Sequence, residues 1–184
     1  MLWIILIIVV LLILFIISVY NSLVTLRQRV KNAFGQMDVQ LQRRFDLIPN
    51  LVETVKGYMI HESDTLAKVT ELRTAWAGAK TVDEKAKLDN ELSNTLKTIM
   101  AVAEAYPDLK ANQNFESLQN ELTETEDKIS YSRQFYNDTV TRYNTKLELF
   151  PSNIIAGMFH FTAESLFEVD SAEARKNVKV DFNK

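Results

Sequence analysis

The chain has 184 residues, with 21 Lys+Arg against 24 Asp+Glu, a net charge of −3, no cysteine, four glycines and three prolines. Without cysteine there is no disulfide scaffold, thiol redox chemistry, Cys-based zinc site or cysteine-linked lipid anchor, and the mildly acidic balance argues against a nucleic-acid binder. So little glycine and proline argues against turn-rich β folds and against Pro/Gly-rich disorder.

The mean hydropathy of −0.09 is that of an ordinary soluble protein, but it averages two unlike parts. Residues 1–20 sum to about +65 on the hydropathy scale, and the remainder averages about −0.5 per residue. Met1 to Ile17 is unbroken apolar sequence, and Ser18-Val19-Tyr20 extends it to nearly the ~20 residues a helix needs to cross a ~30 Å hydrocarbon core. A secretory signal peptide would carry a basic start, a shorter apolar core and small residues at a cleavage site. Here no Lys or Arg precedes the run, and SVYNSLV contains no Ala-x-Ala. The segment therefore reads as an uncleaved transmembrane helix over residues 1–20, with Leu2, Trp3, Ile17 and Tyr20 among its lipid-facing and interfacial residues. Arg27, Arg29 and Lys31 are the first charges and follow the span closely. The positive-inside rule then places the amino terminus outside and the body in the cytoplasm.

From Leu23 onward apolar residues recur every three or four positions, through Leu26, Val30, Ala33, Met37, Leu41, Phe45, Ile48, Val52, Val55, Met59, Leu66, Val69 and Leu72 to Trp76. That is helical periodicity without strand alternation. Pro49 interrupts it: either Asp46 caps a new helix with proline in its first turn, or one helix kinks there, and a kink is favoured over a reversal because Leu47-Ile48-Pro49 offers neither glycine nor a polar loop. The helix is expected to end near Gly78. Thr81-Val82-Asp83-Glu84 has the form of a capping box and opens a second helix, which Pro107 stops. Residues 107–113 read as a loop. Asn112 or Asn114 caps a third helix, regular from Phe115 to Phe150 and closed by Pro151. One short apolar segment follows (SNIIAGMFHF), then a polar tail over 168–184 with an optional short helix after Asp170 or strand at 178–182.

These lengths predict an all-α architecture: a transmembrane helix followed by an elongated antiparallel bundle of three to four long helices over 21–167. At 1.5 Å per residue the first soluble helix reaches about 85 Å, the second about 37 Å and the third about 54 Å. On that reckoning the later helices cover only the distal part of the first. The stripe Leu23, Leu26, Val30, Met37, Leu41 is then left without a partner inside the chain, which marks it as a self-association surface.

Candidate chemistry is sparse. Arg43, Arg44, Asp46, Pro49, Asn50 and Glu53 cluster at the predicted kink, as a partner or anion contact or, more simply, as a helix surface with ion pairs such as Glu53–Lys56. HESDT after Ile60 is not H-E-x-x-H, and neither His61 nor His160 completes the Glu-x-x-His of a di-iron bundle. Tyr136-Asn137 and Tyr143-Asn144 repeat at a spacing of seven, so they share one helix face, with the tyrosines on the core stripe. Such residues set register through hydrogen bonds more often than they form a ligand site. No metal, cofactor or catalytic constellation is predicted.

Several strings are characteristic: YNSLVTLRQRVKNAFGQMDVQLQRRFDLIPNLVETVKGYMIHE, AEAYPDLKANQNFESLQNEL, RQFYNDTVTRYNTKLELFP and SNIIAGMFHF. Together they resemble the bacterial LemA family from Met1 to about Phe167. Phe45 departs from the family pattern, where histidine is common. The resemblance implies a mostly cytoplasmic, membrane-anchored antiparallel helical bundle with no established catalytic activity, whose relatives are linked to membrane organisation, including magnetosome formation. The expected role is a single-pass scaffold of the bacterial inner membrane. Its partners would be the lipid bilayer, further copies of itself as a homo-oligomer, and possible membrane proteins. The alternative is a sensory or regulatory module whose bundle binds a ligand.

Overall fold

The computed structural model describes residues 1–168, and within them every regular element is a helix. The predicted tail, with its optional helix or strand, lies almost wholly outside the described residues. The elements are α1 (Leu2–Asp46), α2 (Ile48–Val55), α3 (Ser63–Gly78), α4 (Val82–Ala103), α5 (Pro107–Lys110), α6 (Gln113–Glu148) and α7 (Ser152–Met158). The all-α bundle with one long apolar N-terminal helix is what the periodicity and composition predicted.

α1 is 45 residues long and passes from apolar span to amphipathic body without interruption. Residues 2–15 are exposed all round, and burial starts at Val19 and Leu23. The helix ends at Leu47, which keeps a helical backbone (φ −76°, ψ −18°) and donates to the carbonyls of Arg43 and Arg44. Pro49 lies in the first turn of α2, where its missing N–H is harmless. The interruption is thus a one-residue bend rather than a reversal.

The reversal comes later and corrects the expectation of a helix continuing to Gly78. Lys56–Glu62 forms a turn, and α3 then runs back along the end of α1. Trp76, near the end of α3, stacks on Phe45 with ring centroids 4.3 Å apart, and its indole Nε1 donates to Gln42 Oε1 at 2.9 Å. Apolar periodicity cannot detect this turn because Met59 inside it is itself buried and falls on the same stripe. Thr81 and Glu84 make the reciprocal bonds of a capping box at the start of α4, and Asn112 Oδ1 accepts from the N–H groups of Asn114 and Phe115 to cap α6. PDLK is a single helical turn rather than loop, and Leu109 on it is fully buried.

α6 is 36 residues long and runs antiparallel to α1, from Glu126 beside Arg44 to Tyr136 beside Phe34. It therefore extends back to the membrane-proximal end. This overturns the expected unpartnered stalk: Leu23, Val30, Met37 and Leu41 are buried, and Leu26 packs at the edge of the same core. α6 has the expected length, but the reversal at Lys56–Glu62 sets its start beside Tyr58, just past α2, so that it reaches far down α1. The bundle consequently has two halves. In the distal half the end of α1, α2, α3, α4 and α6 share one core. In the proximal half α1 and α6 are joined by a strap of irregular chain, residues 161–168, whose Phe167 is buried in that same core. α7 closes the proximal base, with Ile155 and Ala156 against Val19 and Leu23.

Candidate functional site

Among the described residues no group of three or more His, Cys, Asp or Glu could hold a metal ion. Three polar or aromatic assemblies remain, and each draws on residues singled out in the sequence.

The first is a buried charged node. Of the cluster at the bend only Arg44 turns inward, while Arg43, Asp46, Pro49, Asn50 and Glu53 are exposed. Glu53 pairs with Lys56 at 2.5 Å across one helical turn on the surface. Arg44 Nη1 donates to Asp89 Oδ1 on α4 at 2.9 Å and lies 2.8 Å from Glu126 Oε2 on α6. Its Nη2 donates to Ser93 Oγ at 2.9 Å. One guanidinium thus ties α1, α4 and α6 together. Two carboxylates share that one cation. Burial pushes the Asp89 carboxyl above the usual range, Arg44 opposes the shift, and the Glu126 charge adds to it. Asp89 and Ser93 were missed in the sequence. An aspartate at a core-facing position of the α4 stripe, between Ala86 and Leu92, was the available signal.

The second assembly is the Tyr–Asn ladder on α6. Asn144 donates from Nδ2 to the Glu164 carbonyl at 2.9 Å and accepts from the Glu164 N–H at 3.0 Å. Asn137 does the same with Phe167, at 3.2 and 2.8 Å. The Tyr143 and Tyr136 hydroxyls donate to the carbonyls of Thr162 and Ser165, at 3.0 and 2.8 Å. Partners seven apart on α6 therefore grip residues three apart on the strap. The match is metric: seven helical residues rise about 10.5 Å and three extended residues about 10 Å. Each amide side chain replaces the neighbouring strand that the strap otherwise lacks. Burial raises both phenols, Tyr143 upward and Tyr136 to about 12. The sequence reading grouped these four residues on one face. Their hydrogen-bond partner is the backbone of residues 162–167.

The third assembly is the proximal collar. Tyr20 packs on Phe159 and Phe161 with centroids 4.8 and 5.7 Å away, and the Arg27 guanidinium lies 5.1 Å from the centre of the Phe161 ring. Leu2, Trp3 and Ile17 are exposed along the apolar part of α1, and Arg29 and Lys31 are exposed beyond the collar. Gln36, Val39 and Gln40 of α1 and Glu124, Asp127, Lys128, Tyr131 and Ser132 of α6 line an open groove.

An exposed apolar helix that enters the core of an otherwise polar all-α bundle defines a membrane-associated helical protein. The profile of the LemA family matches residues 33–182, and the chain belongs to that family. It is similar to Protein LemA of Metamycoplasma hominis, at 24% identity over 83% of this chain and 70% of that protein. It is also similar to magnetosome protein MamQ 2 of Paramagnetospirillum magneticum, at 25% identity over 81% of this chain. Magnetosome protein MamQ of Magnetospirillum gryphiswaldense matches at 22% identity over 80% of the chain. The match spans 64% of the length of each of these two MamQ proteins.

Proposed function

We propose that this protein is a single-pass, non-enzymatic scaffold of the bacterial inner membrane, with residues 1–20 spanning the bilayer and the bundle in the cytoplasm. One observation carries the reading: α1 is anchor and core element at once, so the bundle is rigidly coupled to the span rather than hung from a linker. Arg27, Arg29 and Lys31, all exposed just beyond the collar, supply the charge bias that orients it. The similarity to two magnetosome proteins supports a role in membrane organisation.

The surface proposed for self-association or for a membrane-protein partner is the α1–α6 groove, where Val39 and Tyr131 are large, exposed and apolar, together with exposed Phe135 one helical turn further along α6. Photo-crosslinking from Tyr131 in intact membranes, read by mass spectrometry, tests this. Crosslinks to Val39 or Phe135 of a second copy, or to one membrane protein, are expected. Crosslinking only to lipid or abundant cytosolic protein overturns the scaffold reading. Reporter fusions at the C-terminus test the orientation independently.

A ligand-binding module is the second reading. It rests on Gln40 Oε1, which lines the same groove and is buried without a hydrogen-bond partner among the described residues. Native mass spectrometry of the purified full chain in detergent would then show a retained small molecule that Gln40→Leu loses.

A further inference from the structure

Among the described residues, ten large apolar side chains beyond Tyr20 are exposed, and five of them fall in the short stretch from Leu149 to Phe159. Phe150 is 79% exposed, Met158 63% and Ile154 55%. Between Glu148 and Glu164 there is no Asp, Glu, Lys or Arg. This stretch is the α6–α7 elbow, and the packing of α7 fixes its height. Ile155 and Ala156 of α7 share a small core with Val19 and Leu23, and Ile16 packs against it. A span of about 20 residues starting at Leu2 ends close to Tyr20. α7 therefore sits within about one helical turn, roughly 5 Å, of the level where α1 leaves the hydrocarbon.

We propose that the α6–α7 elbow is a second membrane contact. In this arrangement Leu149, Phe150, Ile154, Met158 and Phe159 dip into the headgroup–acyl boundary of the leaflet from which α1 emerges. The proposal rests on the reading of α1 as a transmembrane helix. The apolar surface of the elbow is continuous with that of α1 through Tyr20, Phe159 and Phe161. Aromatic rings at this depth have the amphipathic character that interfaces favour. Burial of the elbow removes no charge from water, and the backbone at both ends of α7 is bonded locally, Asn153 N–H donating to the Leu149 carbonyl and Phe159 N–H to the Ile155 carbonyl. Ser152, which is buried, turns its hydroxyl to the Lys146 and Leu149 carbonyls rather than toward lipid. Arg27 stands over the Phe161 ring on the polar side of the same collar, where it meets anionic headgroups. Two contacts instead of one would stop the bundle from tilting and rotating about α1, and hold the α1–α6 groove at a set angle to the bilayer.

The absence of cysteine makes the test direct. In the full chain, Phe150→Cys, Ile154→Cys, Met158→Cys, Leu11→Cys and Tyr131→Cys are each labelled with a nitrobenzoxadiazole dye. Each is reconstituted in vesicles of phosphatidylethanolamine and phosphatidylglycerol, with and without nitroxide-bearing phospholipids. Labels at 150, 154 and 158 are expected to emit to the blue and to lose most of their intensity to a shallow nitroxide. Leu11→Cys is expected to respond most to a deep nitroxide, and Tyr131→Cys to neither. Water-like, unquenched emission at 150, 154 and 158 beside a quenched Leu11→Cys overturns the elbow contact and leaves the span standing. Blue emission there without lipid quenching shows the elbow covered by protein, such as a second copy, and also overturns it. An unquenched Leu11→Cys removes the span, and the proposal with it.

Discussion

The distal and proximal halves of the bundle solve the same packing problem by different means. Distally, five helical segments share an aliphatic and aromatic core, and one buried guanidinium ties three of them. Proximally, only two long helices are available, and a strap of irregular chain closes the gap. A strap cannot satisfy its own backbone, so α6 carries side chains that do it. The distal half is thus held chiefly by apolar burial and the proximal half by addressed hydrogen bonds. Hydrogen bonds of that kind lend themselves to release, whereas apolar cores unfold as a unit.

Breaking the distal node should have the largest effect. Arg44→Ala leaves Asp89 buried without its cation and should cost about 3–5 kcal/mol in urea unfolding. Arg44→Met with Asp89→Leu should recover most of that loss, because the uncompensated charge disappears with its partner. The pH dependence has a definite sign. The folded Asp89 pKa is raised by burial, so its contribution to stability is fully present below the ordinary carboxylate value and lost as pH rises through the raised one. Asp89→Asn should flatten that part of the stability–pH curve.

Next is the strap. Phe167→Ala should cost about 3 kcal/mol, the low end for a buried phenylalanine, because a strap can detach locally while the helices stay folded. Limited proteolysis should then cut at 161–168 before anywhere in α3 or α4. Asn137→Leu and Asn144→Leu each remove two bonds and should each cost about 1–3 kcal/mol, with the same proteolytic signature. Alkali should act on this half through Tyr136. Tyr136 holds the strap as a neutral phenol, so its contribution is in force below about 10 and is lost as pH rises through about 12. Tyr136→Phe should remove that alkaline transition, followed by strap proteolysis against pH.

The smallest effect concerns the turn between α7 and the strap. His160 has φ 53°, a left-handed conformation that strains a side chain with a Cβ. His160→Gly should stabilise the strap by about 0.5–1 kcal/mol, visible as slower cleavage at 161–168.

Much of this was present in single residues. Thr81 and Glu84 announced a helix start because their bonds are local, and Asn112 did so for α6. The bend at Pro49 followed from a missing N–H. The turn at Lys56–Glu62 was invisible because its buried Met59 keeps the apolar phase of the helices on both sides. Asp89 read as one more charge on a charged helix until Arg44 was placed opposite it.

By itself the sequence determined the apolar span, the helical class, the caps and the face shared by Tyr136, Asn137, Tyr143 and Asn144, since each depends on spacing along one chain. Tertiary structure alone decided what those faces meet. The offset of α6 along α1 turned an expected stalk surface into core. The choice of backbone as partner for the Tyr–Asn pairs came from the fit between seven helical residues and three of the strap. Offsets and partners belong to pairs of distant segments, and no periodicity within one segment encodes them.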